Sequence, residues 1–355
     1  MDSSNSFSEK ILLLKSCFSN SPQQFLEERL NVDCPSTLLK ELRINKIDSL
    51  YYLHTKNISF IQSLYNQVLN LQINCLKDLL NELRSKKIRP IVFKGAELAQ
   101  RYYDGNALSM SNDVDLLFQY HDLYEVKAIM HSLGYRQGNF DKSTCKIKNG
   151  NINEIARLEA IHYELVPFKK AIEITISKDQ LEFAKSIPEH PIWIVNNKVY
   201  VVVEFDIHHQ LAADIMAKPF FQRSIPSSFE HADTLNPTDH LWFMTSKLYN
   251  EVARANKRSL RDFVYMSHLL SKENIDWDQI LEISCRYNIK STLYYFFTFL
   301  SLVETNIVPL TVLNNLKPSK ESRNRDFGWQ MLGLFGFEDK CPLEEEMSKI
   351  NLLNT

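Results

Sequence analysis

Apolar residues recur at helical spacing through the first quarter of the chain. Leu71, Cys75, Leu79, Leu80 and Leu83 share one face of a 3.6-residue period, which predicts a long helix from about Ile58 to Ser85. Pro22 and Pro35 mark breaks before it, so residues 7–86 read as a short series of helices. The period changes at Lys87. The apolar run Ile88 to Phe93 predicts a buried strand, and a helix follows from Gly95 to about Tyr103. Asp104-Gly105-Asn106 is turn chemistry. Residues 113–118 predict a second strand, and His121 to Leu133 a helix that Gly134 closes as its C-cap. Residues 171–177 and 198–209 are further strand candidates, and from Pro237 the helical period returns as long stretches at 238–271 and 276–303. The expected fold class is α+β: a mixed sheet core at 86–212, flanked by helical regions at 1–85 and 213–355.

Composition narrows the field of functions. The chain has 355 residues, with 41 Lys+Arg against 43 Asp+Glu, a formal net charge of -2. That balance argues against a broad polyanion-binding surface and so against a long nucleic acid partner. Only 8 residues are Gly, roughly 2% against a usual ~7%, which disfavours architectures that need several glycines for phosphate loops. The six cysteines, Cys17, Cys34, Cys75, Cys145, Cys285 and Cys341, form no C-x-x-C pair, so they read as free thiols of a reducing cytoplasm and not as a zinc site. The polar, acidic start Met1-Asp2-Ser3-Ser4-Asn5 lacks the pattern of a signal peptide, and no apolar run is long enough to span a membrane. The expected location is cytoplasmic, and the Asn, Ile and Lys content suggests an AT-rich bacterial genome.

The chemistry concentrates in carboxylates. In Asp113-Val114-Asp115 the two acids lie on one face of a strand while Val114 and Leu116 face the core. Side-by-side carboxylates repel unless something positive neutralises them, and a divalent cation such as Mg²⁺ does so with oxygen ligands. A solvated strand face is the alternative. A second set, Glu204-Phe205-Asp206-Ile207-His208, places Glu204, Asp206 and His208 on one face after the apolar run Tyr200 to Val203. If the two strands are neighbours, three carboxylates suffice for two metal ions. If not, this is an amphipathic edge strand with its polar face in water. Lys94-Gly95-Ala96, between strand and helix, offers a close backbone approach and a cation at a helix N-terminus, without the pattern of a Walker A loop.

In this order the pieces resemble the polymerase-β-like nucleotidyltransferase superfamily, and more closely its bacterial branch of uncharacterised nucleotidyltransferases. The matching segments are Ile91 to Ala99, Asp113 to Leu117, Leu133 to Tyr135 and Asp206 to Leu211, with a weaker match in the helix Asp239 to Leu270 that carries Leu260-Arg261-Asp262. The likeness covers roughly residues 86–270. It implies a nucleotidyltransferase that moves an NMP from an NTP to an acceptor and releases pyrophosphate, using two Mg²⁺ ions, with Mn²⁺ as a substitute. Asp113 and Asp115 would hold the metals, and Asp206, with Glu204 as its competitor, would be the third carboxylate and favour deprotonation of the acceptor. Gly95 would approach the phosphates and Lys94 pair with them. The branch usually has an Arg shortly before its D-x-D; here Ser109-Met110-Ser111-Asn112 stands there, and Ser109, Ser111 and Asn112 would bind phosphate without the charge.

Other residues enter as acceptor contacts or supports. His162 and Glu164 lie two apart, either facing the same cleft or on a surface strand face. His208 is a candidate support or acceptor contact, whereas His209 points the other way and packs. Lys257, Arg258 and Arg261 either clamp phosphate or form a solvated basic face. Trp193, Trp242, Trp277 and Trp329 read as core or interface residues, and Leu343 to Glu346 as a solvated helix start. ATP is taken as the donor and a small molecule or peptide as the acceptor, since the charge balance lacks a basic surface. The competing reading is a catalytically degenerate chain of the same fold that binds a nucleotide or partner.

Overall fold

A computed structural model of the chain describes residues 12–19, 21–29, 36–55, 59–187, 191–255 and 259–318. The fold is α+β, and it forms two compact units: Ile58–Asn236, which carries the sheet, and Met1–Asn57 with Pro237–Thr355, which is helical where described. These limits differ from the expected boundaries at 85 and 212. The long helix α1 (Phe60–Ser85) groups with the sheet because its fully buried stripe Leu64, Val68, Leu76, Leu79 and Leu83 belongs to the sheet's core. Ser59 caps it, its hydroxyl accepting from the Gln62 amide at 3.2 Å.

Among the described residues nine strands form the main sheet. The ones that matter for the site are β1 (Ile91–Phe93), β2 (Asp113–Leu117), β5 (Phe168–Ile174), β6 (Ile192–Val195) and β7 (Lys198–His208); β3 (Arg136–Asp141) and β4 (Lys146–Asn149) form an outer hairpin. A separate pair, β8 (Gln210–Ala212) and β9 (Ile215–Met216), follows β7. Short strands β10 (Ile225–Pro226) and β11 (Asp233–Thr234) close the β1 edge, which keeps residues 213–236 with the sheet. β7 pairs antiparallel with β5 along one edge. On the other edge it pairs with β6 near its start and with β2 near its end, the latter in parallel. Val114, Leu116, Phe205 and Ile207 are fully buried on the α1 side. A one-residue slip would turn these four out of the core and the carboxylates into it, so burial locks the register.

The helix α2 (Gly95–Tyr103) runs over the expected residues. Gly134, after helix α3 (Leu123–Ser132), has φ +87 and ends it as expected. Other elements differ in extent. The strand expected from Ile88 begins at Ile91, and the one expected at 171–177 spans Phe168–Ile174. The two long C-terminal stretches are each two helices: Pro237–Ala255 with Arg261–Lys272, and Trp277–Arg286 with Lys290–Val303. The second break falls where Asn288 takes φ +53, a left-handed conformation that Asn tolerates. Pro22 opens the helix Pro22–Glu27 at its first turn, where a missing N–H costs nothing. Helices α4 (Ile152–Glu159) and α5 (Lys178–Lys185) were not expected. No helix among the described residues is long and apolar enough to cross a membrane.

Trp242 is fully buried in the helical unit, stacked on Tyr287 at 5.5 Å, and its Nε1–H donates to Asp239 at 2.9 Å. Trp277 sits edge-on to Phe297, and Trp193 lies 5.0 Å from Phe140 in the sheet unit. Cys17, Cys75, Cys145 and Cys285 are free thiols. Pro35, Cys34, Lys257, Arg258, Trp329, Cys341 and Leu343 to Glu346 lie outside the described residues.

Among the imidazoles buried in the helical unit are those of His54 and His268. His54 Nδ1 meets the Ser16 hydroxyl at 2.7 Å. Burial holds the pKa of His54 down to about 4 and that of His268 to about 3, helped for His268 by the charges of His54 and Lys272. Between pH 4 and 6.5 the unfolded chain binds protons that these rings refuse, so their contribution is complete above 6.5 and is lost as pH falls towards 4. Each ring is worth on the order of 3 kcal/mol across that window. Amide protection factors in the helix Arg261–Lys272 are expected to fall steeply below pH 6, and His268→Met to make that acid dependence shallower.

Candidate active site

The parallel ladder sets the site. It pairs Asp113 with Glu204, Asp115 with Asp206 and Leu117 with His208. Paired residues of neighbouring strands project to the same face, so the two acidic patterns meet on the face opposite α1. Asp115, Asp206 and His208 each offer a ligand atom within 4.8 Å of the others. Asp113 and Glu204, one step along the ladder, are outside that group.

Each member has a distinct environment. Asp115 is 4% exposed; its Oδ1 accepts from the Lys94 ammonium and lies 3.2 Å from His208 Nε2. Asp206 Oδ1 is buried and has no hydrogen-bond partner among the described residues. Burial first, then the charges of Asp115, Asp113 and Glu204, push the Asp206 pKa up to about 8. Glu204 is neutralised separately by Lys169, at 3.0 Å on β5. His208 is 3% exposed, and burial lowers its pKa, so the ring is neutral. The edge of Phe93 (5.3 Å between centroids) and the face of Tyr163 (6.0 Å) wall it. Its Nδ1 lies 3.4 Å from Glu164 Oε2.

The backbone brings these groups in by local means. Lys94, the N-cap of α2, has φ +61, a costly conformation for a residue with a Cβ. From it the ammonium reaches back to Asp115. A Cβ at Gly95 would meet nothing within 4 Å, so open space lies before this turn. The loop before β2 is tied to α1 by side-chain amides. Gln62 Nε2 donates to the Ala107 carbonyl at 2.9 Å, Asn66 Nδ2 to Asn106 Oδ1 at 2.8 Å, and Gln72 Nε2 to the Ser111 carbonyl at 3.2 Å. In that loop Ser109 is buried with an unpartnered hydroxyl, Ser111 Oγ donates weakly to the Asp113 carbonyl at 3.5 Å, and Asn112 is half-buried. Glu164 meets His208 through an isolated antiparallel bridge, flanked by the Leu165 N–H to Ile207 carbonyl bond at 2.8 Å.

Thus Asp115, Asp206, His208, Lys94 and Glu164 converge. The ring of His162 is exposed; its backbone N–H donates to the Leu158 carbonyl at 3.0 Å, and its own carbonyl lies 3.1 Å from His209 Nε2. His209 packs edge-on against Tyr120. Arg261 belongs to the helical unit, 3.6 Å from the Asp262 carboxylate. The fully buried Glu97 was not singled out in the sequence. It accepts from Arg101, from Ser227 and from the backbone and hydroxyl of Ser228. Its i,i+4 spacing to Arg101 reads as an ordinary surface pair, and nothing local announces the two serines.

Residues 62–303 match the family model described as uncharacterised nucleotidyltransferase. The chain belongs to that family and is an enzyme of the nucleotidyl-transfer class. No curated protein and no solved structure matches it.

The Lys94–Asp115 pair is buried on both sides, so removing the ammonium takes a counter-charge from a buried carboxylate. Lys94→Met is expected to cost about 3 kcal/mol in urea unfolding, and millimolar Mn²⁺ to recover much of it. An unchanged midpoint would show that Asp115 needs no counter-charge.

Proposed function

We propose that the chain moves a nucleoside monophosphate from an NTP, with ATP as the working donor, to an acceptor group on a small molecule or peptide, releasing pyrophosphate. The observation that carries this reading is the pairing of Asp115 with Asp206 across a parallel ladder, with a buried Asp206 oxygen that has no hydrogen-bond partner among the described residues. Such an oxygen, beside a second carboxylate and an imidazole, suits a divalent cation. Asp113, Asp115 and Asp206 would hold two Mg²⁺ ions. When bound, these would neutralise the triphosphate and lower the barrier to displacement at its α-phosphorus.

The chain's own residues supply the rest. The open space at Gly95 admits phosphate close to the α2 N-terminus, whose amides attract anions. The Lys94 ammonium, leaving Asp115, stands beside that space. The buried hydroxyl of Ser109, with Ser111 and Asn112, offers donors where a family Arg would stand. The proton that Asp206 holds below about pH 8 would leave when a cation binds, and its carboxylate would then favour loss of the acceptor's proton to water. The acceptor–phosphorus bond then forms, the bond from α-phosphorus to the bridging oxygen breaks, and pyrophosphate leaves. The chain's charge balance favours a small or peptide acceptor over a long nucleic acid.

Calorimetric titration with each NTP tests the reading. One NTP is expected to bind with Mg²⁺ and to lose at least about tenfold in affinity without it. Asp113→Asn/Asp115→Asn is expected to abolish the metal-dependent part. Metal-independent binding that survives the double substitution would contradict the reading.

A further inference from the structure

His208 has no place in a site built from carboxylates alone, yet its geometry is that of a ligand. The ring is walled by Phe93 and Tyr163, so its orientation is fixed. Nε2 faces Asp115 at 3.2 Å, within the cluster that includes Asp206. Nδ1 is buried and has no hydrogen-bond partner among the described residues, although Glu164 Oε2 lies 3.4 Å away. A tautomer with its proton on Nε2 accounts for both facts. It donates to Asp115 and leaves a lone pair on Nδ1 facing another acceptor. A cation that takes the Nε2 lone pair moves the proton to Nδ1, where it can be shared with Glu164. This is the carboxylate–histidine–metal relay that orients imidazole ligands in metal sites. The orphaned nitrogen and the orphaned Asp206 oxygen are both satisfied by one ion.

We infer that His208 Nε2 is a metal ligand, oriented by Glu164, and that the site therefore selects a first-row transition dication over Mg²⁺. The inference rests on the metal-dependent reading of the same carboxylates. Its reason is chemical: Mg²⁺ strongly prefers oxygen, whereas an imidazole nitrogen raises affinity along the series from Mn²⁺ upward. Mn²⁺ and Mg²⁺ are otherwise close in the oxygen sites they accept, so the nitrogen decides between them.

The test uses Mn²⁺ as the probe on the full chain, with and without a non-hydrolysable NTP analogue. Pulsed electron paramagnetic resonance is expected to show ¹⁴N modulation from a coordinated imidazole. It should persist in His209→Gln and His162→Gln and vanish in His208→Gln. In wild-type protein, displacing Mn²⁺ should need at least about tenfold more Mg²⁺ than Mn²⁺, and Glu164→Gln should weaken Mn²⁺ by about tenfold. If His208→Gln does not fold, the wild-type spectrum and the two other histidine variants still decide the matter. Mn²⁺ bound without ¹⁴N coupling, yet lost in Asp115→Asn, overturns His208 ligation and leaves the nucleotidyl-transfer reading standing. No Mn²⁺ bound under either condition overturns both.

Discussion

The parallel pairing of β2 with β7 is the constraint on which the rest depends. It sets Asp115 beside Asp206 and brings His208 to the same face. Like charges at that separation cannot both remain ionised without compensation. The fold tolerates the arrangement because the other face of the same two strands is fully buried, and slipping the register would sacrifice that core. What remains is a local shortage of positive charge. Lys94 meets part of it by adopting a left-handed backbone conformation and placing its ammonium on Asp115. Asp206 meets the remainder by holding its proton to about pH 8. Both responses lower the negative charge on this face.

Much of the site was legible because its signals are local. Period two in Asp113-Val114-Asp115 and in Glu204 to His208 puts each set of polar groups on one face, and the sheet keeps them there. The difference in surroundings between Glu204 and Asp206 is not local: Lys169 lies on β5 and faces Glu204 only because that strand pairs antiparallel with β7. The partner of Lys94 was equally hidden. A lysine at a helix N-terminus reads as a phosphate contact, and only the β1–β2 pairing of Phe93 with Asp115 brings its ammonium onto the carboxylate.

For the fold, long periodic segments such as α1 and α2 could be read directly, whereas connection and grouping could not. The division of the chain into units depends on which core a helix joins, and α1 carries an apolar stripe that suits either neighbour in sequence. Strands of two residues, such as β10 and β11, have too little length for any period. The β3–β4 hairpin is mostly polar and lies at the sheet's edge, so it lacks the apolar alternation that marks a half-buried strand. The break between the helices Trp277–Arg286 and Lys290–Val303 has neither Gly nor Pro and is made by Asn288.

Anomalous diffraction from crystals grown with Mn²⁺ and a non-hydrolysable NTP analogue would test the central claim most directly. The account requires an Mn²⁺ peak within coordination distance of both Asp115 and Asp206, with the Lys94 ammonium withdrawn from Asp115 and the analogue's phosphates beside Gly95. A peak elsewhere, or an intact Lys94–Asp115 pair beneath an ordered nucleotide, would contradict it.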